Sequence, residues 1–155
     1  MPHFRVTKKL ANALRVKVPK APVRSLNPDH EWFADLFPVG REKCVIWVHR
    51  STLFTFVAPG VRAPDLRAFP EMFRFVVPLN LQKLGLPESL ADQPGVHSPD
   101  TYAPTDDRVV VGSMLDYRHL YAHAVADVGG FMGVDVFDLN AELNDAPMSA
   151  LKGQS

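Results

Sequence analysis

The pattern of hydrophobic and polar positions predicts a core of strands between residues 31 and 59. Large side chains alternate with small or polar ones over Trp32–Phe37, and the apolar run Cys44–Val48 has no break. Strand-forming residues return over Leu53–Ala58, and turn residues separate the three runs. The pattern therefore predicts a three-stranded antiparallel meander. Because Cys44–Val48 is apolar at every position, both of its faces are expected to be covered, which places it centrally in a sheet.

The residues ahead of the meander predict a short strand, a helix and a connection. His3–Val6 consists of strand formers, and Thr7 is placed to cap the following helix because its hydroxyl can accept from a free amide of the first turn. Leu10 and Leu14 belong to the apolar stripe of that helix. Prolines within residues 18–30 exclude a regular helix, so this stretch is expected to cross the surface as an extended connection.

After the meander, the sequence predicts helices followed by a loop. One helical turn is expected over residues 64–69, and a longer helix over Pro70–Leu84, because proline suits the first turn of a helix. Pro78 inside that helix predicts a kink or a break. Residues 86–91 are expected to form one further turn. Residues 92–106 are rich in Pro, Asp, Ser and Gly, which predicts an irregular loop.

The last third of the chain predicts one more strand and two helices. Arg108–Val111 is typical of a buried strand that Gly112 closes. Ser113 is expected to cap a helix over Met114–Val128, and Asp135 to cap a short final helix. The inner face of the longer helix is expected to consist of Met114, Tyr117, Tyr121, Val125 and Val128.

Together these elements predict an α+β fold. We expect a single domain over residues 1–155, with one mainly antiparallel sheet of about four to five strands and packed helices. Hydrophobic residues make up 46% of the sequence and charged residues 22%, as in ordinary globular proteins. The lone Cys44 cannot form an internal disulfide, so a reducing, cytoplasmic setting is expected. No run of about 18 apolar residues occurs, so no membrane span is expected.

The formal net charge is +0, but the charges are unevenly distributed. Residues 1–24 hold seven bases and no acid, whereas residues 100–155 hold three bases and nine acids. Either the basic segment packs beside the acidic one, or it forms a free face that attracts phosphate. We favour the first alternative. The second alternative is not favoured, because the whole chain is not basic. Any binding of nucleic acid is expected to be weak and sequence-independent, because Phe4 is the only aromatic residue in the segment that could stack on a base.

Motifs of common chemistries are missing from the sequence. His119 and His123 are spaced so that two imidazoles share one helix face, and Asp116 or Asp127 can add an oxygen. The adjacent glutamate of the zinc-protease pattern is missing, so these histidines are weak candidates and no metal is predicted. The sequence contains no phosphate-binding or dinucleotide-binding glycine motif and no C-x-x-C pair, so no cofactor is predicted either.

Short motifs carry a family resemblance. They are Thr7–Leu10 before a helix, the Trp32 strand, the Cys44–Thr52 strand and turn, Asp107–Asp116 and Leu143–Met148. In their order and spacing over nearly the whole chain, they resemble the bacterial domain-of-unknown-function family 6933. Its members are small, mostly stand-alone proteins without an assigned activity, so the resemblance implies little about function.

The resemblance does imply a set of candidate binding residues. The residues at the family's motif positions are Lys8, Lys9, Trp32, Arg108, Ser113, Asp116 and Asn144. At the positions of His49 and Leu115, family members often carry Asn, and this chain departs from them.

Three functions are carried forward from the sequence. The first is a cytoplasmic, non-catalytic binding or regulatory module whose partner is a protein or a small anionic ligand. The second is an enzyme or an anion-binding or nucleotide-binding protein, with a polar cluster at the Thr7 helix start, Arg108 and the Ser113–Asp116 helix start. The third is the weak nucleic-acid binder, which is not favoured.

Overall fold

The computed structural model describes residues 4–20, 23–24, 28–91, 102–133 and 135–144. The strands of its sheet are β1 (Phe4–Val6), β2 (Trp32–Val39), β3 (Glu42–His49), β4 (Thr55–Ala58) and β5 (Tyr102–Pro104). Their order across the sheet is β4-β3-β2-β1-β5. β2, β3 and β4 form the predicted antiparallel meander. Cys44–Val48 lies in β3, which has a neighbour on each side and is buried at these positions, so its interior placement is confirmed.

The predicted α+β fold with one sheet of four to five strands is confirmed, and the sheet is mixed rather than purely antiparallel. β1 pairs in parallel with both β2 and β5. Residues 102–104 were expected to be irregular, but they form β5; residues 92–101 lie outside the described residues. Partners so far apart in sequence leave no local signal of their pairing, because the same alternating pattern serves parallel and antiparallel edges.

Within the described ranges, five helices accompany the sheet. They are α1 (Lys8–Leu14), α2 (Ala63–Arg67), α3 (Phe69–Lys83), α4 (Arg108–Asp127) and α5 (136–144), with 3-10 turns at Pro28–His30, Glu88–Ala91 and Phe131–Gly133. Thr7 caps α1 as predicted, and its Oγ1 accepts from the Leu10 amide at 3.3 Å. Pro70 lies in the first turn of α3. α3 continues through Pro78, so the predicted break does not occur.

α4 begins earlier than the sequence suggested. Asp107 is its N-cap, because Asp107 Oδ1 accepts from the amides of Val109 at 2.9 Å and Val110 at 3.2 Å. Arg108–Val111 is therefore the first turn of α4 and not a strand, and Ser113 lies inside the helix instead of capping it. Valines favour strands locally, but the cap and the burial of Val110 prevail here.

Helices cover both faces of the sheet. α1, α2 and α3 pack on the face that carries Phe4, Trp32 and Trp47, which we call the aromatic face. α4 and α5 pack on the opposite face, which carries Phe33 and Ile46 and which we call the polar face for the charged and amide groups described below. The side chains alternate between the faces along each strand, and the result is a three-layer α/β/α arrangement.

α5 follows the prediction for the final helix. Asp135 Oδ1 accepts from the amide of Phe137 at 2.9 Å and caps it, and Leu139 and Leu143 are buried against the polar face. The predicted end segment, residues 147–151, lies outside the described residues. In the part of the chain that the structure describes, no helix combines the length and apolar character needed to cross a bilayer.

Candidate functional site

The residues that the sequence singled out do not converge on one place. Lys8 and Lys9 are exposed in the first turn of α1, and Arg108 is exposed in the first turn of α4. Ser113 and Asp116 lie further along α4, Ser113 half-buried and Asp116 exposed. No helix begins at Ser113, because this residue lies inside α4. The expected anion cluster therefore lacks the second of its two helix starts.

A different group connects the start of α1 to α4. Thr7 Oγ1 donates to Asp35 Oδ1 at 2.6 Å, and Arg118 of α4 donates to Asp35 Oδ2 at 2.8 Å. The Leu36 amide also donates to Asp35 Oδ1, at 2.8 Å. The guanidinium of Arg118 lies over the ring of Phe37, with its Cζ 5.2 Å from the ring centroid. Both oxygens of Asp35 are therefore used to hold α1, β2 and α4 together.

A second ionic group lies where β2 begins and β3 ends. Arg5 is fully buried in β1 and donates from Nε to Glu31 at 2.6 Å. Arg50 donates to the same Glu31 oxygen at 3.0 Å and to Asp106 at 2.5 Å. The guanidinium of Arg50 stacks over Phe33, 4.9 Å from the ring centroid. This network joins β1, the start of β2, the end of β3 and the residue next to the α4 cap.

The side chain of Trp32 is part of the hydrophobic core. It is fully buried on the aromatic face, and its indole Nε1 donates to the Leu90 carbonyl at 2.9 Å. Its ring lies 4.8 Å from that of His49, centroid to centroid. His49 Nε2 donates to the Asp29 carbonyl at 2.7 Å, and burial lowers the pKa of this imidazole. His49 is therefore held neutral as an interior bridge.

Asn144 binds the outer edge of β4 together with Asn140. Asn144 accepts from the Thr55 amide at 2.7 Å and donates to the Thr55 carbonyl at 2.7 Å. Asn140 accepts from the Val57 amide at 2.9 Å and donates to the Val57 carbonyl at 3.2 Å. Asn140 also donates to Asn80 of α3, at 3.1 Å. These side chains satisfy the backbone groups that an edge strand otherwise leaves open.

Two buried titratable groups, Cys44 in β3 and Tyr121 in α4, are uncharged near neutral pH. Burial raises the pKa of the Cys44 thiol to about 12, which makes it an unreactive hydrophobic side chain. Burial also raises the pKa of Tyr121. His119 and His123 are exposed on α4, and His123 Nε2 lies 3.9 Å from Asp127. Among the described residues, no three His, Cys, Asp or Glu side chains are grouped to hold a metal ion.

The exposed bases of α1 and the exposed acids of α5 lie on opposite sides of the sheet. Exposed on α1, over the aromatic face, are Lys8, Lys9 and Arg15. Asp138 and Glu142 are exposed on α5, over the polar face. Among the described bases of residues 1–24, Arg5 alone contacts an acid of the last third, with Asp106 at 3.7 Å. The two segments are therefore adjacent where β1 pairs with β5 and Arg5 approaches Asp106, whereas among the described residues the exposed bases of α1 and the exposed acids of α5 are on opposite sides of the sheet.

The acidic side contains a groove between α4 and α5. Two adjoining cavities of about 330 and 220 Å³ form it, and we call it the α4–α5 groove. Its apolar wall includes Leu120, Ala124, Val128, Leu139 and Leu143. Its acidic rim consists of Asp127, Asp135, Asp138 and Glu142, with His123 as the one nitrogen-bearing side chain among the lining residues. Leu120 and Val128 are about half exposed, so apolar surface is open to solvent here.

A wider depression of about 730 Å³ lies at the end of α4. The β2–β3 turn at Gly40 forms one wall, and Gly129, Phe131 and Met132 form the other. Met132 is fully exposed. Arg41 and Glu42 among its lining residues carry opposite charges.

Sequence reasoning missed the groove and the ionic groups for different reasons. The helical spacing of Leu120 and Ala124 on α4, and of Leu139 and Leu143 on α5, is a signal of two neighbouring apolar faces that was available. No comparable signal exists for the pairing of Arg118 with Asp35, because the residues are 83 positions apart and their approach depends on the fold.

Comparisons with known proteins give a family and no activity. A family model described as a domain of unknown function (DUF6933) matches residues 3–155. Neither the curated proteins nor the solved structures contain a match to this chain.

Proposed function

Since the chain belongs to this family of unknown function, DUF6933, we propose its function from its own surface. It is a non-catalytic binding module that holds a basic protein segment with apolar anchors in the α4–α5 groove. The observation that carries the proposal is the combination of an open apolar wall with an acidic rim. Apolar contact supplies affinity at such a surface, and charge selects the partner and speeds the encounter.

The state of the rim charges supports a basic partner. Asp138 and Glu142 are one helical turn apart on α5 and have no ion-pair partner in the described part of the chain. Asp127 has only the distant His123 at 3.9 Å. These carboxylates repel one another across the groove, and a lysine or arginine from a partner relieves that repulsion.

The length of the groove limits the occupant. It follows α5 from Asp135 to Leu143, which at about 1.5 Å per residue is about 12 Å. Two to three turns of an amphipathic helix span this distance, with apolar residues toward Leu120 and Leu139 and bases toward the rim.

Fluorescence anisotropy with a labelled lysine–leucine amphipathic peptide tests the proposal. We expect binding that weakens by about tenfold or more in the Asp138→Lys/Glu142→Lys variant, because the rim then repels the peptide. The matched control is Glu71→Lys/Glu88→Lys, which makes the same change in net charge on the α3 side and should alter binding less than about twofold.

Two outcomes would contradict the proposal. An equal loss of binding in both variants means that net charge alone attracts the peptide. Equal binding of a glutamate–leucine peptide of the same length means that the groove does not select for charge.

A cytoplasmic location is part of the proposal. Its support is Cys44, which is buried in β3 and protonated, so that it neither pairs nor needs an oxidising compartment. Separation of membrane, secreted and cytoplasmic fractions of the source cells, with antibody detection of the chain, tests the location.

Nucleic-acid binding is a second candidate, and one observation favours it. The exposed bases of α1 are on the opposite side of the sheet from the α5 acids and have no ion pairs among the described residues. When exposed, unpaired lysine and arginine side chains contact phosphates, the counterions of the phosphates are released, so binding should weaken steeply with salt. A salt titration of duplex binding, with Lys8→Ala/Lys9→Ala/Arg15→Ala as the variant and Lys83→Ala as the control, measures this contribution. No binding at low salt removes the candidate.

A further inference from the structure

β4 is an edge strand whose outward backbone groups are bound by a helix instead of by another strand. The amides of Asn140 and Asn144 are four residues apart on α5, which is about 6 Å along a helix axis. Thr55 and Val57 are two residues apart in β4, which is about 6.6 Å along a strand. On β4, each side-chain amide uses its carbonyl and an N–H, the same pair of groups that a peptide offers. α5 therefore reproduces the hydrogen bonds of a sixth strand.

From this match we propose that the outer edge of β4 is a binding site for an extended peptide, and that α5 is a displaceable cover over it. A peptide that adds to this edge replaces the four bonds between the asparagine side chains and β4 with backbone bonds of the same kind, and the bond from Asn140 to Asn80 is given up. No buried backbone group of Thr55 or Val57 loses a partner in the exchange.

The attachment of α5 is suited to opening. Leu139 and Leu143 are its buried apolar residues among positions 136–144, and the cavities of the α4–α5 groove lie between it and α4. Its contacts with α3 are the bond from Asn140 to Asn80 and the Lys83 ammonium, which lies 4.7 Å from the centroid of the Phe137 ring. Gly129 and Gly130, at φ 82° and 119°, precede it and provide a place where the backbone can turn. The acids on the two helices repel each other across the gap.

The chemistry of the edge defines the occupant. It is an extended segment with free N–H and C=O groups on alternate residues, and with apolar side chains on the face that replaces Leu139 and Leu143 over Val57. This site is separate from the α4–α5 groove, and ligands at the two sites have opposite effects on the position of α5. A basic ligand in the groove holds α5 closed, whereas a peptide on β4 requires α5 to leave.

Amide hydrogen exchange on the unmodified protein tests whether the cover opens. If α5 opens as a unit, the Thr55 and Val57 amides exchange with the same protection as the amides of α5. They also show lower protection and a shallower denaturant dependence than the Phe56 and Ala58 amides, which lie on the β3 side of the strand. Identical protection and slope at all four β4 amides overturns the proposal, because exchange then requires global unfolding.

A peptide measurement tests whether the exposed edge binds. The probe is a short capped peptide of alternating valine and threonine with terminal lysines, and the matched control is the same peptide N-methylated at alternate residues so that it cannot donate. The Asn140→Ala/Asn144→Ala variant, shown to be folded by circular dichroism, should bind the probe about tenfold more tightly than the unmodified protein and should not bind the control. Weaker binding in this variant, or equal binding of the two peptides, overturns the proposal. Leu143→Ala, which loosens α5 without touching the asparagines, should strengthen binding in the same direction.

Discussion

The two faces of the sheet hold their helices by different means. On the aromatic face, α3 places Phe69 and Phe73 against Phe4 at centroid distances of 5.0 and 5.1 Å, and Phe73 also contacts Trp32 at 5.5 Å. On the polar face, α4 and α5 are anchored by a guanidinium on Asp35 and by the two asparagine amides on β4. Apolar packing holds both layers, and on the polar face directional polar bonds are added to it.

The difference has a physical reason in the strands. Arg5 and Asp35 each lie between buried apolar residues of the aromatic face, so alternation directs both side chains to the polar face. Apolar contact accepts many relative orientations, whereas an ion pair or a bidentate amide accepts few. The polar face therefore specifies where its helices lie, and it is the face on which a lost partner is costly.

The largest effect is expected from the buried ionic group. Glu31→Met removes the carboxylate that Arg5 and Arg50 share, which leaves the fully buried guanidinium of Arg5 with Asp106 at 3.7 Å as its remaining ion pair among the described residues. Chemical denaturation should register a loss of about 3–5 kcal/mol. Arg5→Met/Glu31→Met removes both charges and should recover more than half of the loss; a double variant as unstable as the single one would contradict the interpretation.

A smaller loss is expected at the β4 edge. Asn144→Ala leaves the buried N–H and C=O of Thr55 without their partners, which should reduce the free energy of unfolding by about 2 kcal/mol. Asn12→Ala, at an exposed position of α1, is the control and should change it by less than about 0.5 kcal/mol. Equal effects in urea titrations of the two variants would mean that the edge bonds do not contribute.

The aromatic face should tolerate a change of shape. Leu81 of α3 is fully buried, and Leu81→Met conserves its volume, so the cost should stay below about 1.5 kcal/mol. Denaturation under the same conditions as for Asn144→Ala gives the comparison directly. A loss larger than that of Asn144→Ala would reverse the contrast between the faces.

The smallest effect depends on pH. Burial lowers the pKa of His49 below its ordinary value, so the unfolded chain takes up this proton first as the pH falls below about 6.5. Stability from this group is therefore present above about pH 6.5 and is lost toward the lower folded pKa, at no more than about 1.4 kcal/mol per pH unit. His49→Gln should remove this part of the pH dependence in denaturation series, whereas the exposed His119→Gln should preserve it.

Local patterns predicted much of the fold. The meander, the Thr7 cap, the start of α3 and the Asp135 cap depend on neighbouring residues, and each is present. The error at Arg108–Val111 came from giving three valines more weight than the cap. Asp107 as an N-cap, with Val110 four residues before the buried Met114, is a signal that the sequence contained.

Other features depend on residues that the fold alone brings together. The parallel neighbours of β1 lie 28 positions ahead in β2 and 98 ahead in β5, as the pairs Phe4–Trp32 and Phe4–Tyr102 show. The α4–α5 groove likewise needs two helices to meet, and Asn144, predicted as a binding residue, has its partner 89 positions away. Spacing along the chain cannot reveal such contacts, because many pairings satisfy the same local pattern.

In the described part of the chain, the sheet separates the α1 bases from the α5 acids and so creates an electric dipole. With basic α1 on one side and acidic α5 on the other, a copy near its isoelectric pH of about 7.0 attracts the opposite side of the next copy, although neither has a net charge. Dissolved ions screen that attraction within about 10 Å at 0.1 M. The protein should therefore salt in: its solubility near neutral pH should rise as ionic strength is increased from a low value.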